Sequence, residues 1–164
     1  MKITILKNGY KMDDAYKVLM SKGQGMTIEH MDTIFYPYLL IEYDVKYEMQ
    51  RLHKYNGKAL CLADMYGGEY SIAKSKGEYL EMDVMDAMVM PMKMEEEHAI
   101  KEAPSYIISE VVRGKRVVHT PDIIYVDHRA IYKAFYIVQC RNEDDEIFHI
   151  MFDSVAGTFS LLNS

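Results

Sequence analysis

The chain has 164 residues, of which 49% are apolar, 27% charged and 12% aromatic, a composition typical of one globular domain or two small ones. The net charge of −6 argues against nucleic acid as a partner, because binding several phosphates needs basic residues gathered on one face. No run approaches the ~18 apolar residues of a membrane span, and the first apolar run is too short for a signal peptide. We therefore expect a cytoplasmic protein.

The first part of the chain predicts a short strand, a helix and a long strand. Ile3–Leu6 is an apolar run before a turn signal. Residues Asp13–Gly23 begin with acidic side chains and end in glycine, as helices commonly do. From Leu39 to Met49 apolar and polar residues alternate, which predicts a half-buried strand.

A hairpin is predicted next. The alternation fails at Arg51 and Leu52, which indicates a bulge or a bend. Asn56-Gly57 is a strong hairpin signal between apolar runs, so we expect a turn there and a return strand over Ala59–Ala63. A further strand is expected over Glu69–Ala73, after the turn at Gly67 and Gly68.

The second half predicts a helix and four strands. Ala99, Ala103, Ile107 and Val111 follow one another at helical spacing within Glu95–Val112, and Pro104 should kink or split that helix. The expected strands are Ile123–Val126, Phe135–Cys140, Ile147–Phe152 and Phe159–Leu162.

The two halves contain matching segments. Leu62–Ile72 aligns with Met151–Leu161, and Phe35–Ile41 aligns with Tyr132–Val138. In each copy an aspartate, Asp64 or Asp153, ends a strand, and a glycine follows four residues later. We interpret each aspartate as a structural acceptor for the turn amides, in preference to a catalytic carboxylate pair.

The alignment predicts a fold of the α+β class, built from two tandem repeats of a helix and an antiparallel sheet. The repeats would cover residues 1–75 and 95–164, joined by a methionine-rich connector over 76–94. Whether they share one sheet, and whether they form one core or two, stays open at this point.

These features resemble the PepSY domain, in which a helix precedes an aromatic-rich strand and a strand that ends in Asp-x-x-x-Gly. The second repeat carries the pattern at Glu97, Ala99, Ala103, Tyr136, Val138, Asp153 and Gly157, and the first at Asp14, Ala15, Asp64 and Gly68. The resemblance implies a non-catalytic α+β module that binds or regulates another protein.

Two segments could bind a metal. Six methionines between Met82 and Met94 have spacings that thioether sites for Cu(I) use, although packing between elements is the preferred interpretation. His119, Asp122, Asp127 and His128 surround a short strand but match no zinc signature, so a turn and a solvated connection are preferred. Cys61 and Cys140 lie in apolar runs and are expected to be buried free thiols.

No nucleophile-elbow, phosphate-loop or dinucleotide-binding motif is present in the sequence. We therefore expect a protein that is not an enzyme, with no catalytic residue, cofactor or metal ligand. Its expected function is to bind a protein partner, or a second copy of itself, through a sheet edge or a tyrosine-rich face. The tyrosines of that face are Tyr36, Tyr38, Tyr43, Tyr47, Tyr132 and Tyr136. The alternative is a small ligand or metal held in a cleft between the repeats.

Overall fold

The computed structural model of the protein describes residues 1–49, 53–115 and 119–162, and shows a mixed α+β fold. Its helices are α1 (Met12–Lys22) and α2 (Glu96–Val112), with one 3₁₀ turn at Asp86–Met88. Its strands are β1 (Lys2–Leu6), β2 (Thr27–Met49), β3 (His53–Asp64), β4 (Tyr70–Ala73), β5 (Tyr79–Asp83), β6 (Asp122–Arg141), β7 (Ile147–Asp153) and β8 (Phe159–Leu162). The strand order is β4-β3-β2-β6-β1-β5, and β6 also pairs with β7, which pairs with β8.

The chain divides into two compact units, and each draws on both halves of the sequence. The first comprises Met1–Tyr36, Glu78–Met90 and 132–162. In it, α1 buries Ala15 and Leu19 against side chains of β6 and β7, among them Val138 and Phe152. This spacing of four residues places both helix side chains on one face, as the sequence pattern requires.

The second unit comprises the described residues of Pro37–Gly77 and Pro91–Ile131. Its core joins α2 to β2 and β3. Three α2 residues, Ala99, Ala103 and Ile107, are fully buried against side chains such as Leu39 and Ile41. The two small alanines allow the helix to lie close to the sheet, so this core depends on backbone proximity as well as on side-chain volume.

The helix α2 contains Pro104 and is not split, in contrast to one of the two outcomes expected from the sequence. Proline has no N–H, so the carbonyl oxygen of Ile100, four residues earlier, loses its helical donor. The hydroxyl of Tyr43 on β2 donates to that oxygen over 2.6 Å. Tyr43 thus satisfies the backbone acceptor that the proline leaves open, and it is only 1% exposed.

The predicted hairpin turn at Asn56-Gly57 is wrong. Both residues lie inside β3, where Asn56 pairs with Lys46 and Gly57 with Val45. The ladder continues beyond them because Tyr47 and Tyr55 face each other and stack with ring centroids 4.7 Å apart. Such cross-strand aromatic pairs stabilise a sheet. The bulge or bend predicted at Arg51 and Leu52 lies outside the described residues.

Both central strands are longer than the sequence predicted. β2 begins at Thr27 and not at Leu39, and the two short strands expected over Ile123–Val126 and Phe135–Cys140 are parts of the single strand β6. Charged residues and Pro37 obscured the beginning of β2, since proline is usually a sign against a strand. The strands β1, β7 and β8 and the helix α1 lie where the sequence placed them.

Candidate functional site

The strand β8 offers an open edge. Within the described part of the chain it pairs only with β7, through contacts that run from Phe152 opposite Phe159 to His149 opposite Leu162. The other edge of β8 therefore presents backbone N–H and C=O groups that a further strand could pair with. Leu161 is 68% exposed and is the most exposed of the large side chains on this strand.

No charged residue occurs between Ser154 and Leu162, so β8 lacks the charged side chains that often protect an edge strand. The strands β4 and β5 also have a single partner among the described residues, but charges accompany them. Lys74 follows β4 directly, and β5 itself carries Glu81 and Asp83. Of these three edge strands, β8 alone has no charged residue either within the strand or directly beside it in the sequence, since β4 lies between Glu69 and Lys74.

The core holds β8 in place at its first residue. The Phe159 ring stacks on Phe152 with centroids 6.4 Å apart, and Phe152 is fully buried. The ammonium of Lys22 at the end of α1 lies 5.6 Å from the Phe159 ring centroid. Phe159 thus contacts the core although its side chain is 38% exposed, about as much as Leu162, and Leu161 is the most accessible large side chain of the strand.

A second feature is a cavity of about 440 Å³ within the first unit. Its floor consists of side chains from three strands: Ile5 of β1, Phe35 of β2, and Ala134 and Tyr136 of β6. All four are at least 95% buried. The remaining lining residues come from the loop before α1, its first turn, β2, β5 and the 3₁₀ turn: Asn8, Lys11, Met12, Asp13, Thr33, Met82 and Met88.

The hydroxyl of Tyr136 fixes one wall of this cavity. It donates to the carbonyl oxygen of Tyr10 over 2.7 Å and accepts from the Asn8 side-chain amide over 3.1 Å. The same amide donates to the Tyr10 carbonyl oxygen over 3.1 Å. Burial raises the pKa of Tyr136 above its ordinary value, so the phenol is neutral near pH 7.

The two aspartates of the aligned segments hold turns, as predicted. Asp64 Oδ1 accepts from the amides of Tyr66 and Gly67, and Asp153 Oδ1 accepts from those of Val155 and Ala156. Four residues after each aspartate, Gly68 and Gly157 have φ angles of 81° and 74°, which favour glycine.

The histidine segment gathers no metal ligands in the described residues: no three His, Cys, Asp or Glu side chains come together there. His119 and Asp122 line a pocket beside Tyr47. The turn and the solvated connection expected here are wrong, because Asp122 and His128 both lie in β6. His128 contacts the Tyr125 hydroxyl through Nδ1 and Glu96 through Nε2, over 2.6 and 3.2 Å.

The connector methionines separate into different environments. Met82 and Met88 line the cavity of the first unit, and Met85 is 69% exposed. Met92 and Met94 pack against the core of the second unit, in keeping with the packing interpretation.

The tyrosines of the two long strands do not form one exposed face. Tyr43, Tyr47 and Tyr136 are buried, the first two in the second unit and the last in the first. Their rings contribute to the cores, so the sheet edge is the more accessible of the two surfaces predicted for a partner.

Both cysteines are buried free thiols, as predicted. Burial raises the pKa of Cys61 to about 11 and also raises that of Cys140. A nucleophilic cysteine needs the opposite shift, because the thiolate is the reactive form. These thiols therefore act as small apolar core residues.

No family model, curated protein or solved structure matches the chain. Among the described residues, no helix is long and apolar enough to cross a membrane.

Proposed function

We propose that this protein is a non-catalytic binding module that receives an extended, apolar segment of a partner protein at β8. The observation that carries the proposal is the edge itself, which is uncharged, is unpaired on one side within the described chain, and exposes Leu161. In strand addition, main-chain hydrogen bonds supply affinity, and alternate side chains supply specificity.

The side chains around β8 indicate what the partner segment should look like. Phe159 and Leu161 pair across the sheet with Phe152 and Ile150, so all four point to the same face as the core side chains. An added strand would place every second side chain beside Phe159 and Leu161. The partner segment should therefore alternate, with apolar residues on this face.

The proposal includes an internal duplication of a helix and three strands. The registers of the two copies support it, since Tyr38 lies opposite Asp64 in one and Phe135 opposite Asp153 in the other. These are equivalent positions in the sequence alignment. The PepSY-like resemblance of the same segments fits a binding role.

The distribution of titratable groups supports a role without catalysis. The raised pKa values of Tyr43, Cys61 and Cys140 come first from burial in the cores. The lowered pKa of Glu29 comes first from its hydrogen bond with Arg141, which ties β2 to β6. Each of these shifts has a structural origin.

The test is selection of short random peptides on the immobilised protein, followed by affinity measurement on two variants. Leu161→Lys places on β8 the kind of charge that natural edge strands use to prevent pairing. Ile72→Lys is the matched control, because Ile72 is also an exposed aliphatic residue, on the edge strand β4, and is 43% exposed.

The proposal predicts that selected peptides alternate apolar and polar residues, and that Leu161→Lys weakens their binding at least about tenfold while Ile72→Lys does not. Sedimentation velocity on the same proteins detects pairing with a second copy. Peptides that bind Leu161→Lys as tightly as the wild type would overturn the assignment of the site to β8.

A further inference from the structure

The cavity of the first unit has the dimensions of a ligand site and is independent of the β8 edge. Its volume of about 440 Å³ lies within the range of small-molecule pockets, roughly 300–1,000 Å³. Such pockets are usually apolar with a few placed polar groups. The floor of this cavity is apolar except for the Tyr136 hydroxyl, so it follows that pattern.

Three methionines make the wall adaptable. Met12, Met82 and Met88 come from α1, β5 and the 3₁₀ turn and line the same space. Unbranched, polarisable side chains of this kind fit apolar groups of different shape. Met12 and Met82 are 38% and 41% exposed, so these two side chains lie on the solvent-facing side of the cavity.

The charged lining residues define the other end of the ligand. Lys11 and Asp13 lie two residues apart at the beginning of α1, and both line the cavity. One is cationic and the other anionic, so their charges cancel. A ligand with a net negative charge would gain from Lys11 but would be repelled by Asp13 and the adjacent Asp14.

We propose that this cavity binds a free α-amino acid with an apolar side chain. Its carboxylate would pair with Lys11 and its ammonium group with Asp13, while its side chain would enter the apolar space between Phe35 and Met88. A zwitterion with an apolar substituent satisfies both charges and the apolar walls at once.

Titration calorimetry with L-leucine, L-methionine and L-phenylalanine tests the proposal directly. Each is expected to bind, whereas glycine, which has no side chain to bury, is expected to give no measurable heat. Leucinamide lacks the carboxylate and N-acetyl-leucine lacks the ammonium group, and each should bind at least about tenfold more weakly than leucine.

Lys11 and Asp13 are both exposed, so substitutions there test the two charged contacts with the ligand without changing the core. Lys11→Met should abolish the preference for leucine over leucinamide. Asp13→Asn should abolish the preference for leucine over N-acetyl-leucine. Lys17→Met, on the same helix but outside the cavity lining, is the control and should keep both preferences.

Absence of binding by all three amino acids would overturn the proposal. So would leucinamide that binds as tightly as leucine, or preferences that survive in Lys11→Met and Asp13→Asn. Peptide binding at β8 does not depend on these outcomes, so failure of the ligand site can be distinguished from failure of the proposed function.

Discussion

Removal of the Tyr43 hydroxyl should lower the free energy of unfolding, because Pro104 in α2 leaves a carbonyl oxygen that depends on this hydroxyl for a donor. In Tyr43→Phe the carbonyl oxygen of Ile100 loses the donor 2.6 Å away, and Pro104 cannot replace it. The net value of such a hydrogen bond is about 1 kcal/mol, but the cost rises to about 1–3 kcal/mol when its loss leaves a buried acceptor unsatisfied. Tyr43 is 1% exposed and the hydrogen bond is part-buried, so we expect a loss in the middle of this range, about 2 kcal/mol in the free energy of unfolding.

The decisive comparison is the same substitution in a Pro104→Ala background. Alanine restores an N–H that can donate to the Ile100 oxygen, so Tyr43→Phe should then cost less than about 1 kcal/mol. Pro104→Ala alone should stabilise the protein, since proline is unfavourable inside a helix.

Urea denaturation of the four proteins in this double-mutant cycle gives the coupling energy, expected to be about 1 kcal/mol or more. Tyr47→Phe is the matched control. Its hydroxyl accepts from Lys115 over 3.2 Å, so we expect the cost of its removal to be the same with Pro104 and in the Pro104→Ala background. Equal costs of Tyr43→Phe in both backgrounds would refute the account of how α2 accommodates its proline.

Two further predictions concern turn glycines and high pH. Gly157→Ala should lower the free energy of unfolding by at least about 1 kcal/mol more than Gly68→Ala. Both glycines have a positive φ, but only a Cβ at Gly157 would overlap the Tyr10 ring. Equal losses in urea denaturation would contradict this. The free energy of unfolding should fall as the pH rises from 9 to about 11, because the pKa of Cys61 is near 9 in the unfolded chain and about 11 in the folded one. In Cys61→Ala the free energy of unfolding should fall less steeply over this range. An unchanged slope in that variant would show that Cys61 does not contribute.

Local sequence signals identified the elements that are stabilised locally. The turns after Asp64 and Asp153 were predictable because the acceptor, the turn amides and the glycine all lie within five residues. The last strand, Phe159–Leu162, was predictable for the same reason, as it follows directly from the second turn.

The errors arose where distant residues decide the structure. Asn56-Gly57 has the sequence of a turn, yet the Tyr47–Tyr55 pair and the surrounding ladder keep it extended. The donor that Tyr43 supplies to Ile100 joins residues 57 positions apart, so no local pattern shows why Pro104 leaves α2 intact.

The cavity could not be predicted from the sequence, for a related reason. Its lining brings together residues between positions 5 and 136, contributed by β1, the loop before α1, α1, β2, β5, the 3₁₀ turn and β6. The methionine spacing did draw attention to Met82 and Met88. It could not show that Met12 joins them, because that depends on the placement of α1 against the sheet.

Hydrogen exchange of the β8 backbone, measured with and without a selected peptide, tests the central claim most directly. Strand addition predicts that amides in Phe159–Leu162 become protected when the peptide binds, while those of the β4 edge, Tyr70–Ala73, keep their rates. A bound peptide that leaves the exchange of Phe159–Leu162 unchanged would contradict the assignment of β8 as the binding site.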